Sequence, residues 1–155
     1  MIDHRDPTLA QLVTSLQERS KELDCLYRIE ELFTEQGHSR QDVCRGVAEA
    51  LVAGMQHSSI CQAEVACDGV VHRTENGPRT PCHLRAEILV QEQMSGEVCV
   101  YYTGPCPDVG DGPFLLEERR LLKSVADRLA HYVLFERLRG PVSFTHLTRP
   151  PRELG

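Results

Sequence analysis

Between residues 61 and 102 apolar side chains recur at every second position, whereas on both sides of that window they recur every third or fourth. A period of two suits a strand with one buried face, and a period near 3.6 suits an amphipathic helix; neither pattern is stable in the other conformation. The chain is therefore read as a sheet flanked by helices. In SSICQAEVACDG, Cys61, Ala63, Val65 and Cys67 alternate with Gln62, Glu64 and Ala66, a half-buried strand with one wet face. Asp68-Gly69 is a two-residue hairpin turn, and VVHRTE returns as the partner strand. After the loop NGPRTP, CHLRAEILVQEQ places Leu84, Ala86, Ile88 and Val90 on one face. Ser95-Gly96 is expected to turn the chain into EVCVYYTG, with Val98, Val100 and Tyr102 together. Two hairpins of this kind predict four strands in one antiparallel sheet.

Residues 8–36 read as a helix. Leu9, Leu12, Leu16, Leu23, Leu26 and Phe33 form an apolar seam interrupted by Arg19 and Glu30, and QERSKELD supplies the charged face. The pattern fits a helix packed on its own domain or the stalk of a dimer, with coiled-coil character over part of its length. Gly37 closes that helix. Ser39 caps a second one, with Asp42 in its first turn and Val43, Val47, Leu51 and Met55 as its buried stripe, to about Gln56. GPCPDVGDGP is a long Gly/Pro loop, which favours a functional role. The last helix starts near Gly112-Pro113 and spans 114–139. Glu117 and Glu118 complement its N-terminus, Arg137 and Arg139 its C-terminus, and Leu122, Val125, Leu129 and Tyr132 form its buried stripe. The order α-α-β-β-β-β-α predicts an α+β fold, an antiparallel sheet of four or more strands flanked by long terminal helices. If those two helices pair, the two ends of the chain are expected to lie close together.

A length of 155 residues fits one domain, and 41% hydrophobic with 26% charged residues is the balance of a soluble globular one. The net charge of −6, with no Lys/Arg run longer than two, argues against nucleic acid or an anionic membrane as partner. No apolar run approaches the ~20 residues that span a bilayer. The start, MIDHRDPTLAQ, has neither the basic nor the apolar region of a signal peptide, so the expected location is cytoplasmic. Seven cysteines without a C-x-x-C argue against a disulfide framework and for buried small hydrophobes.

Three stretches carry a resemblance to a known family: ELDCLYRIEELF (22–33), DGVVHRTENGPRTP (68–81) and DGPFLLEERRLLKSVADRLAHYV (111–133). Over residues 15–140 the chain resembles a GAF-like sensory domain. It is most similar to the amino-terminal modules of bacterial phosphoenolpyruvate-synthase-like phosphotransferases, and such modules also precede sensor histidine kinases. The resemblance implies regulation or assembly, with chemistry done in another part of the parent chain. It brings no catalytic residues and no cofactor. It divides the chain into an amino-terminal helix (1–36), a GAF-like domain ending in a signalling helix (37–140) and a tail (141–155). Cys67 and Cys106 depart from the family pattern, where bulkier or charged residues are expected. In the tail, VSFTHLTRPP (142–151) resembles VSYTHLTLPT, the translation of a transposon end used in preparing sequencing libraries. Residues 141–155 are thus expected to be non-native, with an output domain missing after them, or else a natural disordered tail.

The candidate sites follow from chemistry and spacing. GAF-like sheets often hold a small molecule, and here His72, Arg73, Arg79, His83, Arg85 and Tyr102 could line such a place. Arg79 and Arg85 suit an anionic ligand such as a nucleotide or a carboxylate metabolite. The plainer alternative is solvated strand charges. Cys82, preceding His83 at a loop–strand junction, and Cys106, in the Gly/Pro loop, are the redox candidates. Cys61, Cys67, Cys82 and His83 offer zinc-type ligands, but Cys61 and Cys67 lie some 20 Å apart on an extended strand, so no metal site is expected. No G-x-S-x-G, phosphate loop or H-E-x-x-H occurs, so no catalysis by this chain is expected. The expected partners are a small anionic ligand, a second copy held through the terminal helices and the missing output domain.

Overall fold

Two reciprocal capping boxes start the first two helices. Thr8 Oγ1 accepts from the Gln11 backbone N–H at 3.1 Å while Gln11 Oε1 accepts from the Thr8 N–H at 2.7 Å, opening α1, Leu9–Thr34. Ser39 and Asp42 repeat the exchange at 3.1 and 3.0 Å and open α2, Arg40–Gly54. Gly37, at φ +91°, supplies the left-handed residue between them. The computed structural model describes residues 8–35, 37–75, 79–105 and 114–145, the last six by backbone alone.

The sheet is antiparallel throughout. It contains β1 (Cys61–Cys67), β2 (Val70–Arg73), β3 (His83–Val90) and β4 (Gln93–Tyr102), in the order β2-β1-β4-β3. The first and last strands are therefore the central pair. The first hairpin turns at Asp68 and Gly69, at φ +51° and +92°, as the sequence predicts. The second differs from expectation. Its turn is Gln91-Glu92, both left-handed at φ +51° and +67°, and a bulge falls between Ile88 and Leu89. Gly96 lies inside β4, where a Cβ would stand 1.9 Å from the Ala66 carbonyl oxygen. That glycine is required for the close approach of β4 to β1, not for turning.

Cys61, Ala63, Val65 and Cys67 face the helices, as do Ile88, Val90, Val98, Val100 and Tyr102. Opposite them pack Val43, Val47, Leu51 and Met55 of α2 and Leu121, Leu122, Val125, Leu129 and Val133 of α3, Leu116–Thr145, with Cys25 and Ile29 of α1. The architecture is α+β, with helices on one face of a four-stranded sheet, in the predicted order. α3 runs past the expected end at 139 and through Gly140 to Thr145. Residues 146–155 of the expected tail lie outside the described residues. No helix among the described residues is long and apolar enough to cross a membrane.

The terminal helices pair, but in parallel. Glu18 is close to Glu118, Glu30 is ion-paired with Arg128, and Phe33 stacks on Tyr132 with ring centroids 5.0 Å apart. Positions rise together along both helices. α1 therefore begins about 13 Å before the pairing, and α3 continues about 18 Å beyond it at the opposite end. The expectation that pairing would bring the chain's ends together is overturned, because that holds only for antiparallel helices.

Candidate functional site

The sheet face away from the helices carries the charges. Arg79 Nε donates to Glu64 Oε1 at 3.1 Å and its Nη2 to Glu97 Oε2 at 2.7 Å. Arg85 Nη1 donates to Glu97 Oε1 at 2.7 Å, and Arg73 Nε lies 3.6 Å from Glu64 Oε1. The result is a continuous row, Arg73–Glu64–Arg79–Glu97–Arg85, across all four strands. Burial alone would raise the Glu97 carboxyl, but hydrogen bonds from Arg79 and Arg85 hold it below the usual carboxylate range. Arg79 loses solvent on the same face, yet Glu97 and Glu64 keep it charged and raise its pKa. Beside the row, His83 Nδ1 meets the Thr80 carbonyl at 2.9 Å.

Tyr102 and His72 stand on the helix side of the sheet. The Tyr102 hydroxyl donates to Glu118 Oε2 at 3.0 Å, and its ring stacks on Phe114 at 5.0 Å and meets the edge of His57 at 5.6 Å. Glu118 is buried, and also accepts from the backbone N–H groups of Gln56 and Leu115, both at 2.8 Å. Burial, with the adjacent Glu118, pushes the Tyr102 phenol up. His72 Nδ1 lies 3.5 Å from Gln41 Nε2, on α2. The six candidate ligand residues are thus divided between two faces: Arg73, Arg79, His83 and Arg85 outside, His72 and Tyr102 inside. Arg79 and Arg85 are each compensated by a carboxylate. A groove of about 570 Å³ lies elsewhere, between α1 and α3, lined by Glu30, Phe33, Arg128, His131, Tyr132 and Phe135 among others.

The cysteines are mostly buried packing groups. Cys25, Cys44, Cys61, Cys67 and Cys99 are free and buried. Burial pushes the Cys25 and Cys61 thiols up to about 12 and Cys99 up to about 11, which makes them poor nucleophiles. Cys44 and Cys67 hydrogen-bond to each other, which lowers Cys44 and raises Cys67. Cys82, one of the two redox candidates, is disulfide-bonded and holds no titrating proton. Cys106 lies outside the described residues. No three His, Cys, Asp or Glu side chains gather as metal ligands among the described residues.

Sequence reading missed a further junction at the tip of the first hairpin. Asp68 Oδ2 accepts from Arg40 Nη1 of α2, and Asp68 Oδ1 from Arg137 Nη2 of α3, both at 2.9 Å. Arg137 also reaches Ser95 Oγ at 3.2 Å. The hydrogen bond from Arg137 is the main reason the Asp68 carboxyl lies below its ordinary value. Arg137 and Arg139 were expected to serve the end of α3. The helix runs on past both of them. Arg137 instead latches α3 to the sheet, and Arg139 pairs with Glu136 at 2.8 Å and lies over the Phe135 ring at 5.3 Å. The acids that organise these contacts, Glu64, Asp68, Glu97 and Glu118, were not among the candidates, because a search for an anion site collects cations and passes over their partners. Comparison with known proteins returns no family model, no curated protein and no solved structure that matches the chain.

Proposed function

We propose that this chain is a regulatory module that passes a signal along its terminal helices. In this reading it is the amino-terminal part of a larger cytoplasmic phosphotransferase of the phosphoenolpyruvate-synthase-like type, and it works as a homodimer. The observation that carries the reading is the parallel pairing of α1 and α3, which leave the domain at opposite ends. A displacement of α1 reaches α3 through Glu30–Arg128 and Phe33–Tyr132 without crossing the sheet. Small shifts at helix interfaces are a common switching device, provided the trigger binds the two arrangements unequally. Compensation of Arg79 and Arg85 by Glu64 and Glu97 favours relay and assembly over capture of an anionic ligand on the outer face. The enzyme type rests on the resemblance of residues 22–33, 68–81 and 111–133, and a sensor histidine kinase is the alternative parent.

Replacing Phe33 with Ala removes the stack at the end of the pairing. Hydrogen exchange should then quicken in α3 between 124 and 139 while β1 and β4 stay protected. Unchanged exchange in α3 would sink the relay. A redox sensor is the second reading, favoured by the disulfide at Cys82, since disulfides inside a reducing cytoplasm are usually sensing or catalytic.

A further inference from the structure

α1 has two faces, and only one of them belongs to the domain. Cys25 and Ile29 are buried in the core, Leu32 packs against it, and Lys21 Nζ donates to the Met55 carbonyl at 3.3 Å. On the other side Leu9 is 77% exposed, Leu16 69%, Leu23 58%, Tyr27 65% and Val13 45%. These residues are spaced four, three, seven and four apart, a heptad seam with Val13, Ser20 and Tyr27 at a and Leu9, Leu16 and Leu23 at d. Cys25 and Leu32 fall at f and Ile29 at c, on the domain side. A shallow groove of about 430 Å³ runs along the seam between Leu16, Arg19, Ser20, Leu23, Asp24 and Tyr27. The seam ends at the next d position, Glu30, which is held by Arg128.

We infer that this stripe is the seam of a parallel, in-register coiled coil between the α1 helices of two copies of this chain. The inference rests on the dimeric reading above and specifies its interface and direction. Charge decides both the partner and the direction. Arg19 occupies g and Asp24 the following e, the positions that meet across a parallel pair. Arg19 of each copy then faces Asp24 of the other, twice by symmetry. An antiparallel pair would instead bring the two Arg19 side chains to the same flank. Asp24 Oδ2 is shared with Arg28 at 3.3 Å within its own helix, which leaves Oδ1 to receive the second copy. Ser20, the polar a residue, favours one register over slipped ones. The seam from Leu9 to Tyr27 is about 27 Å long, too short for two free peptides. Here α1 is already helical and docked through its second half, so association need not also order the helix.

The test uses the full chain. Light scattering of the wild type should give a dimer, and Leu16→Glu/Leu23→Glu should weaken self-association roughly 100-fold or more while circular dichroism is unchanged, because both leucines are solvent-exposed in one copy. Val13→Cys, oxidised by air with a copper catalyst, should yield a covalent dimer on a non-reducing gel that the wild type does not. A monomeric wild type overturns the inference and the dimeric reading together. A dimer whose Val13→Cys form does not cross-link, or one untouched by the two glutamates, overturns this interface alone and leaves the dimer to other surfaces.

Discussion

Glu118 is 4% exposed and receives three donors from three parts of the chain: the N–H groups of Gln56 and Leu115 and the Tyr102 hydroxyl. A carboxylate can accept all three, whereas an amide must turn an N–H₂ group toward at least one of them. Glu118→Gln should therefore lower the unfolding free energy by about 2–3 kcal/mol, measured by urea denaturation, while Tyr102→Phe should cost only about 1 kcal/mol because Glu118 keeps two donors. Asp68 and Glu97 contribute to the acid limit. Both carboxyls titrate below their ordinary values in the folded chain, Asp68 held by Arg137 and Arg40, Glu97 by Arg79 and Arg85 against the pull of burial. Unfolded, they bind protons first as pH falls, so the stability they contribute is complete above about pH 5 and lost progressively below about pH 4. Thermal unfolding followed from pH 7 to pH 3 should show a flat region and then a decline. Asp68→Asn/Glu97→Gln should flatten the decline, and a decline of unchanged steepness would refute the assignment.

The elements show which local signals are decisive. Asp68-Gly69 announces its turn, because the glycine takes a left-handed conformation at no steric cost. Gln91-Glu92 adopts the same kind of turn with no such residue, so nothing local marks it, and the nearby Ser95-Gly96 attracts the reading instead. The glycine there answers a long-range demand, the approach to Ala66, which pairing imposes and the local sequence does not reveal. The apolar periods of α2, α3 and the strands gave their buried faces directly. The charged row across the sheet was visible only as separate ions, since Arg79 meets Glu64 and Glu97 through strand order rather than proximity along the chain. The latch at Asp68 belongs to the same class of contact. Arg137→Ala should raise hydrogen exchange in α3 between 134 and 145 roughly two- to fivefold, as expected for a partly exposed ion pair, with the sheet unaffected. Equal rates in the variant and the wild type would show that α3 is held by its apolar face alone.

At the scale of the molecule, the sheet and α2 hold α1 and α3 side by side and pointing the same way. Both helices are anchored along the core, by Cys25 and Ile29 in one and by Leu121, Val125 and Leu129 in the other. Each then projects from the end where its partner does not. An α-helix turns about 100° and advances about 1.5 Å with every residue. A unit joined in continuous helix to α3 therefore inherits an azimuth as well as a distance. One residue inserted after Arg139 would swing that unit about a quarter of the way around the axis, whereas seven would restore its bearing to within about 20°. In the proposed relay α3 would act as a keyed shaft, and the length of a helix continuing it would matter chiefly through its remainder after whole heptads.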